Sequence, residues 1–553
     1  MTGAAGPPLA RAVAAWSAQD PDPDTRGELA GLLEQAEAGS SEALAELADA
    51  FAGRLQFGTA GLRGTLGGGP NRMNRVVVGQ AAAGLARYLR NHGLTGGRVI
   101  VGHDARHKSD LFARDSAEIF AGAGFEALLV PEPTPTPVVA YGIRHFGCVA
   151  GVVVTASHNP PQDNGYKVYL GDGSQIVPPA DTEISAEIDQ VSRLDLADVP
   201  RSRDYREVGP ELLDAYLERV VSLVPVDAPR TLDWVYTPMH GVGGRVVADA
   251  VRRAGFAGAE VVAQQAEPDP EFPTVGFPNP EEPGAIDLAL ALAQRTGADL
   301  VVANDPDADR CAIAAPVDGT WRMLRGDELG ALLGDDALRR GVQGTYACSV
   351  VSSSLLAAMA AAHGQPFATT LTGFKWIGRV PGLAFGYEEA IGYCVDPEAV
   401  PDKDGISALI RVLTLAAGLR AEGRTVADRL DEIATRYGVY ETDQLSVRVE
   451  DLTVIGAAMA RLRAQPPREL QGRPVQVIDL AAGTDELPPT DGVLLAGELV
   501  TVVVRPSGTE PKLKCYLEAR VPLAQAVDLA TDRHRARQML TELRGEISRA
   551  LGL

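Results

Sequence analysis

Short apolar segments alternate with helical segments in the first third of the chain, and this alternation constrains the fold more than any other feature. Residues 98–102 and 127–130 have the length and composition of buried strands, and residues 111–120 between them have the length of a helix. A third apolar run follows at residues 148–154. Strands separated by helices of about a dozen residues predict βαβ units with a mainly parallel sheet. We therefore expect an α/β fold whose ligand sites lie at the carboxyl ends of the strands.

The loop that follows the third run is the first candidate for chemistry. Residues 155–160 have the sequence TASHNP, and the proline prevents the strand from continuing, because it has no amide hydrogen and disfavours helix in the residue before it. Ser157 therefore lies at the carboxyl end of a strand, beside His158, and is a candidate nucleophile. Lys167, in the turn and strand predicted at residues 163–169, is within plausible reach of this loop. A polar turn without function is the alternative for an isolated loop of this kind.

The second candidate is an acidic loop at residues 304–310, with the sequence NDPDADR, directly after a short buried strand. Alternate residues of an extended segment point the same way, so Asp305, Asp307 and Asp309 can converge on one hard cation. An EF-hand is excluded, because the glycine and the final glutamate that it requires are absent. Mg²⁺ is favoured, since it binds through few carboxylates together with a phosphate oxygen. A solvated acidic turn is the alternative.

Two further segments offer groups that bind phosphate. Residues 57–64 (FGTAGLRG) combine glycines, which let the backbone approach a ligand, with Arg63, whose guanidinium can donate two parallel hydrogen bonds. Residues 505–512 (RPSGTEPK) follow a valine-rich strand, and Arg505, two hydroxyls and the amides around Gly508 form a phosphate-binding nest. This is not a Walker loop, because the GK[ST] element is absent. A phosphate cradle so far from the serine loop along the chain indicates a substrate that is held at both ends.

Paired glutamates mark a candidate sugar-binding segment. Residues 386–393 have the sequence GYEEAIGY, in which Glu388 and Glu389 can accept hydrogen bonds from vicinal hydroxyls of a sugar. Residues 371–376 (LTGFKW) precede it in the same part of the chain. On composition alone this segment would be an ordinary turn.

Charge and cysteine content exclude several classes of protein. The 553 residues carry a formal charge of -22, which argues against nucleic-acid and anionic-membrane partners. Five scattered cysteines without CxxC spacing indicate neither a disulfide framework nor a zinc site. The N-terminus lacks the basic region of a signal peptide, and no run approaches the roughly 20 apolar residues of a membrane span. We expect a soluble, cytoplasmic protein.

The four polar loops together resemble one known family. TASHNP, DPDADR, GYEEAIGY and RPSGTEP occur in the order found in α-D-phosphohexomutases, the phosphoglucomutase and phosphomannomutase superfamily. FGTAGLRG with GYEEAIGY resembles the subgroup called phosphoglucomutase-2-like. Two positions depart from many relatives, since Ala390 stands where a serine is common and Tyr393 where some members have a histidine.

The resemblance implies a role for each candidate residue. Ser157 would be the phosphoserine, with Arg63, His158 and Lys167 also catalytic near the transferred phosphate. Mg²⁺, one per active site, would be bound by Ser157, Asp305, Asp307 and Asp309. The residues implied in substrate binding are Arg310, Thr372, Gly373, Lys375, Glu388, Glu389, Arg505, Ser507, Gly508 and Thr509.

The resemblance also implies four domains around a central cleft. The phosphoserine loop belongs to residues 1–204, the metal loop to 205–318, the sugar loop to 319–440 and the phosphate loop to 441–553. The first three domains would be mixed α/β and the C-terminal domain α+β. This number agrees with the chain length, since about 150 residues per domain gives roughly three or four domains.

The implied activity is that of a phosphosugar mutase. It would interconvert a sugar 1-phosphate and 6-phosphate, with glucose as the first expectation, through a phosphoserine enzyme and a bisphosphorylated sugar. The expected partner is a small phosphosugar, and a sugar bisphosphate is the expected activator. A phosphomannomutase or a phosphopentomutase would share every catalytic residue. A non-catalytic sugar-phosphate-binding protein and a phosphatase are the remaining alternatives.

Overall fold

The structure is a computed structural model that describes residues 7–449, 452–507 and 512–552. The described residues form two compact units. Unit 1 comprises Met1–Val226, Asp233–Cys311 and Glu398–Ile410, and unit 2 comprises Asp227–Leu232, Ala312–Pro397 and Arg411–Leu553. No helix in the described ranges is both long enough and apolar enough to cross a membrane.

Unit 1 contains the serine loop and the acidic loop. Its α-helices are α1 (Pro7–Gln19), α2 (Pro23–Glu37), α3 (Ser41–Ala50), α4 (Arg75–Asn91), α5 (Ser109–Gly122), α6 (Thr136–His145), α7 (Ala180–Val191), α8 (Pro210–Ser222), α9 (Gly243–Arg253) and α10 (Asp287–Thr296). Its strands are β1 (Leu62–Thr65), β2 (Arg98–His103), β3 (Glu126–Leu129), β4 (Ala150–Val154), β5 (Asp163–Leu170), β6 (Arg206–Glu207), β7 (Trp234–Thr237), β8 (Glu260–Val261) and β9 (Leu300–Ala303).

The first sheet of unit 1 has the strand order β1-β5-β4-β2-β3-β6. β2 pairs in parallel with β3 and β4, as the alternation of strands and helices predicts. β5 pairs antiparallel with β4, and β1 pairs antiparallel with β5. The sheet is therefore mixed, and residues 163–169, which the sequence predicts to begin as a turn, are strand throughout. This hairpin places Lys167 opposite Val153, four residues before Ser157.

The N-terminal helices pack against this sheet domain. Leu29 on α2 is 1% exposed and Leu47 on α3 is fully buried. Both belong to the same core as Val99 on β2 and Val152 on β4. Burial of each leucine contributes about 1.5–3 kcal/mol relative to an exposed position, so these helices form part of the domain core.

A second set of parallel strands in unit 1 delivers the acidic loop. β7 pairs in parallel with β8 and with β9. All four residues of β9 are buried, which explains why this segment is a continuous apolar run in the sequence. Its carboxyl end leads directly into Asn304 and Asp305.

Unit 2 contains the segments expected to bind the sugar and its phosphate. The strands are β10 (Ala312–Val317), β11 (Thr320–Met323), β12 (Thr345–Ser349), β13 (Phe367–Thr370), β14 (Leu383–Glu388), β15 (Gly392–Cys394), β16 (Val439–Arg448), β17 (Glu469–Leu470), β18 (Arg473–Asp479), β19 (Val493–Gly497), β20 (Val500–Pro506) and β21 (Lys512–Val521). The helices that follow in the chain are α11 (Gly326–Arg339), α12 (Leu355–Ala362), α13 (Phe374–Ile377), α14 (Gly405–Ala421), α15 (Val426–Tyr437), α16 (Leu452–Ala464) and α17 (Leu529–Leu551).

Two sheets organise unit 2. The order β13-β12-β14-β15 combines parallel pairing of β12 with β13 and β14 with an antiparallel edge at β15. The C-terminal sheet, β16-β21-β20-β19-β18-β17, is antiparallel in every described pairing. The expected combination of mixed α/β domains with a C-terminal α+β domain is confirmed. The carboxyl ends of β12, β13 and β14 meet at one edge of the first of these sheets, where ligand sites are expected.

Candidate active site

Ser157 lies in the loop that follows β4 in unit 1, where hydrogen bonds hold it in place. Its side chain is buried, and its Oγ donates a hydrogen bond of 2.8 Å to Asp305 Oδ2. Its amide donates to Thr155 Oγ1 at 2.8 Å. The φ angle of Ser157 is +52°, in the left-handed region, a conformation that costs a residue with a side chain about 1–2 kcal/mol. The surrounding contacts thus hold this hydroxyl in one direction against a local backbone preference.

The three aspartates of the acidic loop converge as predicted. Asp305, Asp307 and Asp309 are buried, and each offers a carboxylate oxygen within 4.8 Å of the others. The predicted reason is wrong, however, because the loop is a turn and not an extended segment. Ala308 has a φ of +53°, and the turn at this residue gathers the carboxylates. A solvated acidic turn is excluded by their burial.

Two ammonium groups balance part of this acidic charge. Lys167 Nζ donates to Asp307 Oδ2 at 2.6 Å and to Asp309 Oδ2 at 2.8 Å. Lys403 Nζ lies 3.2 Å from Asp309 Oδ2. Burial alone would raise the pKa of Asp309, but Lys167 and Lys403 outweigh it and lower that pKa. Burial would likewise lower the pKa of Lys167, but the two aspartates raise it, so the ammonium stays charged.

The acidic cluster retains capacity for a cation. Burial, together with the charges of Asp307 and Asp309, raises the pKa of Asp305 well above its usual value. Among the described residues, Asp307 Oδ1 and Asp309 Oδ1 are buried without a hydrogen-bond partner. Unpaired buried carboxylate oxygens are costly unless a cation binds them. The donor set, all oxygen and all carboxylate, suits Mg²⁺.

Arg63 and Arg310 contact the serine loop, at Asn159 and His158. His158 Nδ1 lies 3.2 Å from Ser157 Oγ and accepts a short hydrogen bond from the Arg310 guanidinium. Burial, Arg310 and Arg63 lower the pKa of His158 well below its usual value, so the imidazole is neutral. Arg63 donates to Asn159 Oδ1 at 3.1 Å. The structure thus brings together the residues that the sequence predicts from four separate segments of unit 1.

Arg106 is a part of this site that the sequence analysis missed. Its guanidinium is buried and donates to the carbonyl oxygens of Ser157 at 2.7 Å, Asn159 at 2.5 Å, Pro160 at 2.7 Å and Asp163 at 3.1 Å. One side chain therefore fixes the backbone at the serine and over the residues that follow it, up to Asp163. The acceptors are main-chain oxygens, which leave no trace in a sequence pattern.

Lys403 is a second residue that the sequence analysis missed. It lies two residues before Gly405, where α14 begins. The glycine has a second role, because a β-carbon there would lie 2.2 Å from the carbonyl oxygen of Arg310. The lysine of this segment thereby comes against Asp309. The sequence did contain one indication of this contact. The acidic loop carries three negative charges, and Lys403 stands directly before an Asp-Gly pair.

Similarly, one glycine of residues 57–64, Gly61, permits a close approach of two backbone segments. A β-carbon at Gly61, whose φ is +76°, would lie 1.9 Å from the carbonyl oxygen of Tyr166. Leu62 pairs with Tyr166 across β1 and β5. The glycine thus permits the strand pairing that carries Arg63 to the serine loop.

In unit 2, the predicted sugar-binding residues lie at one sheet edge. Glu388 ends β14 and is 8% exposed. Thr372, Gly373 and Lys375 are half-buried and lie in the segment after β13, where Gly373 has a φ of +106°. Glu389 differs from the others, because its carboxylate accepts hydrogen bonds from serine side chains of the protein itself.

The predicted phosphate loop connects β20 and β21. Arg505, near the end of β20, and Ser507 are half-buried, and the Ser507 amide donates to Lys512 O at 2.8 Å. Gly508 and Thr509 lie outside the described residues. The hairpin register pairs Arg505 with Lys514, so two basic residues flank the base of the loop.

Comparison with known proteins identifies the family. Sequence models of phosphoglucomutase/phosphomannomutase alpha/beta/alpha domains I, II and III match residues 54–195, 214–318 and 325–437, and that of the C-terminal domain matches residues 447–535. The chain therefore belongs to the phosphoglucomutase/phosphomannomutase family. The expected family, the four-domain fold and the mutase class of enzyme are confirmed.

Individual relatives cover most of the chain. A Haemophilus influenzae protein named "Probable phosphomannomutase" is 49% identical over 458 residues, which span 81% of this chain and 93% of the relative. The human protein named phosphopentomutase is 36% identical over 535 residues, spanning 86% of this chain and 87% of the relative. The crystal structure of a phosphoglucomutase/phosphomannomutase family protein from Burkholderia thailandensis has a TM-score of 0.68 at 21% identity, covering 89% of this chain and 97% of that chain, and shows the same fold.

Proposed function

We propose that the protein is a phosphosugar mutase that moves a phosphoryl group between the anomeric and terminal hydroxyls of a sugar phosphate. One observation carries this proposal. Ser157 Oγ donates a hydrogen bond of 2.8 Å to Asp305 Oδ2, which belongs to a buried cluster of three carboxylates. A serine against a cation site is suited to carry a phosphoryl group, because the cation offsets the negative charge that transfer brings to that position.

The serine acts as a temporary carrier in this mechanism. Phosphoserine 157 transfers its phosphoryl group to a sugar hydroxyl, so the P–Oγ bond breaks as a P–O bond to the sugar forms and the hydroxyl proton passes to a base. The bisphosphate then turns around and returns its other phosphoryl group to Oγ. The left-handed backbone of Ser157 and the bonds from Arg106 hold Oγ in the direction that in-line transfer requires.

Charge in unit 1 is arranged for a phosphoryl group. Asp305, Asp307 and Asp309 would hold Mg²⁺, which would neutralise phosphoryl oxygens. Arg63 and Arg310 lie on the His158 side of Ser157, where their guanidinium groups can donate to phosphate.

Unit 2 supplies groups for the nonreacting part of the substrate. We assign Glu388 to sugar hydroxyls, because a buried carboxylate at the carboxyl end of a parallel strand is placed for a ligand. We assign Arg505 and Ser507, with Gly508 and Thr509, to the nonreacting phosphate. Thr372, Gly373 and Lys375 are proposed to line the sugar side.

Glucose 1-phosphate is our first expectation for the substrate, from the resemblance to the phosphoglucomutase-2-like subgroup. The 49% identical relative named as a phosphomannomutase supports a hexose. A pentose 1-phosphate is the second candidate, because the human relative is named phosphopentomutase and matches over 86% of this chain.

A substrate panel tests the proposal. The purified protein with Mg²⁺ would be given glucose, mannose, ribose and deoxyribose 1-phosphates, each with its activating bisphosphate, and both isomer and inorganic phosphate would be measured. We expect isomer without phosphate release, with glucose 1-phosphate turned over fastest. Phosphate release in place of isomer would establish a phosphatase, and a pentose leading the panel would replace glucose with the second candidate.

Replacing Glu388 by Gln tests the sugar assignment. The loss of a charge-assisted hydrogen bond should lower kcat/KM for the preferred sugar. The corresponding loss of transition-state stabilisation is about 1.5–3 kcal/mol. The matched control is Glu398→Gln, which makes the same change at an exposed site. An equal loss for every sugar would show that Glu388 does not discriminate among them.

A further inference from the structure

The turn at residues 349–354 has the sequence SVVSSS. Within unit 2 it forms hydrogen bonds both to the candidate sugar loop and to the candidate phosphate hairpin. We call it the serine clasp. It begins at the last residue of β12 and ends at the start of α12. Nothing in its local sequence pattern indicates a ligand, and its serines instead bond to both neighbouring segments.

One end of the clasp holds the sugar loop. Ser349 Oγ donates to Glu389 Oε2 at 3.0 Å, and Ser352 Oγ lies 2.8 Å from Ser349 Oγ. The Glu389 amide donates to Ser352 Oγ at 3.1 Å. Glu389 was expected to contact substrate, but its carboxylate anchors the residue next to Glu388. The position of Glu388 is therefore fixed through this turn.

The other end of the clasp holds the phosphate hairpin. Ser353 Oγ donates to Glu518 Oε1 at 2.7 Å, and the amide and hydroxyl of Ser354 each donate to Glu518 at 2.8 Å. Ser353 and Glu518 are 3% and 5% exposed. Glu518 lies on β21, the strand that emerges from the phosphate loop. Three hydrogen bonds to one buried carboxylate fix the hairpin more firmly than surface contacts would.

Two further contacts reinforce the connection. Asp327 Oδ1 accepts from the Ser353 amide at 2.7 Å and from the Tyr387 hydroxyl at 3.0 Å, which links the clasp to the residue before Glu388. Val351, in the middle of the clasp, shares an apolar cluster with Val503 on β20 and Tyr516 on β21. The clasp is thus polar at both ends and apolar between them, and it has buried partners on both sides.

We propose that the serine clasp, through Ser353 and Glu518, sets the spacing between Glu388 and the phosphate hairpin and so determines which length of sugar phosphate is turned over. The inference rests on the proposed function, which assigns sugar hydroxyls to Glu388 and the nonreacting phosphate to Arg505. A hexose and a pentose phosphate differ by one carbon, a distance of about 1.5 Å. Misplacement of about 1 Å can change a rate by about 100-fold, so a fixed spacing discriminates between them.

The test compares two clasp variants with matched controls. Ser353→Ala and Glu518→Gln would be assayed for kcat and KM on glucose 1-phosphate and ribose 1-phosphate, beside Ser446→Ala and Glu498→Gln, which make the same changes at exposed sites of the C-terminal sheet. We expect both clasp variants to lower the ratio of kcat/KM between the preferred and the other sugar by about threefold to tenfold, mainly through KM. The controls should keep the wild-type ratio.

Two different results would overturn the proposal, and they are distinguishable. If the wild type turned over neither sugar phosphate, the proposed function itself would fail. If it turned them over and both clasp variants lost activity on both sugars equally, or lost none, the clasp would have no part in specificity. Should Glu518→Gln fail to fold, Ser353→Ala, which removes only one hydroxyl, decides the question by the same ratio.

Discussion

The candidate functional residues of unit 1 and those of unit 2 lie in surroundings of different chemistry. In unit 1, three buried carboxylates face Lys167 and Lys403, so the groups around Ser157 are mostly charged. In unit 2, neutral hydroxyls of residues 349–354 surround Glu389 and Glu518. The charged groups that we propose to contact a phosphoryl group lie in the first region, whereas we propose that the hydroxyls of the second region fix distances. A change of charge should therefore act on rate in unit 1 and on substrate choice or stability in unit 2.

The two regions share one feature, which is local backbone strain. Ser157 and Ala308 in unit 1 and Ile391 in unit 2 have φ angles of +52°, +53° and +53°. Each lies in one of the polar loops after a strand. Such conformations persist only where surrounding contacts determine them, so each loop is held by its tertiary neighbours more than by its own sequence.

The largest expected effect is that of Ser157→Ala. Without the carrier oxygen, turnover should fall by several orders of magnitude, whereas the loss of one buried hydrogen bond should lower the melting temperature only modestly. The control is Ser192→Ala, at the end of α7 away from the site. Kinetics with the preferred sugar phosphate and its bisphosphate measure the effect. Substantial mutase activity in Ser157→Ala would remove the serine from the carrier role.

Asp307→Asn should have the next largest effect. The change removes one carboxylate charge from the cluster, so both Mg²⁺ affinity and rate should fall, each by at least about 100-fold. Calorimetric titration with Mg²⁺ measures affinity independently of activity. Asp110→Asn, at an exposed position of α5, is the control. Full activity of wild-type enzyme after treatment with EDTA would contradict the metal assignment.

Arg106→Ala tests whether positioning of the serine loop limits the reaction. Four carbonyl oxygens lose their donor, so the loop is less well placed, and kcat should fall by about 10- to 100-fold. Added guanidinium should restore part of kcat, because it can occupy the vacated position. Arg114→Ala, exposed on α5, is the control. If only KM rose, and added guanidinium did not restore activity, Arg106 would not position Ser157.

The strand ends and their loops were predictable because they are local in sequence. β9 ends at Ala303, directly before the acidic loop, and Ser157 follows β4, both as predicted. The roles of Arg106 and Glu518 were not predictable, because each depends on partners distant in sequence. Arg106 bonds to main-chain oxygens near residue 157, and Glu518 bonds to serines more than 160 residues earlier.

Sequence reasoning also reached a correct result by a wrong route. The acidic triad was inferred from the alternation of side chains in an extended segment, but the turn at Ala308 brings the carboxylates together. The spacing of two residues between the aspartates is therefore compatible with an extended segment and with a turn. Likewise, Glu389 has the residue type of a sugar ligand, yet two serines occupy its carboxylate. Residue type alone does not show that side chains of the protein itself donate to this carboxylate.

The smallest expected effect concerns the pH dependence of stability, and it contrasts Asp327 in unit 2 with Asp309 in unit 1. Lysine ammonium groups lower the pKa of Asp309, whereas Asp327 has only neutral hydrogen-bond donors, and burial raises its pKa to about 6. In the range between its ordinary value of 3.8 and about 6, the folded state binds the Asp327 proton more tightly than the unfolded state does. Stability from this group is therefore greatest below about pH 4 and falls as pH rises to about 6.

Asp327→Asn should abolish that decline, because the amide does not titrate and its oxygen can still accept from Ser353 and Tyr387. Between pH 5 and 7 the wild type should lose about 1 kcal/mol from this group, seen as a fall in the urea midpoint of a probe in unit 2. The variant should lose correspondingly less, while Asp485→Asn, at an exposed position of the same unit, should follow the wild type. If Asp327→Asn kept the full decline, Asp327 would be ionised in the folded protein at pH 5, and it would not differ from Asp309 in its protonation.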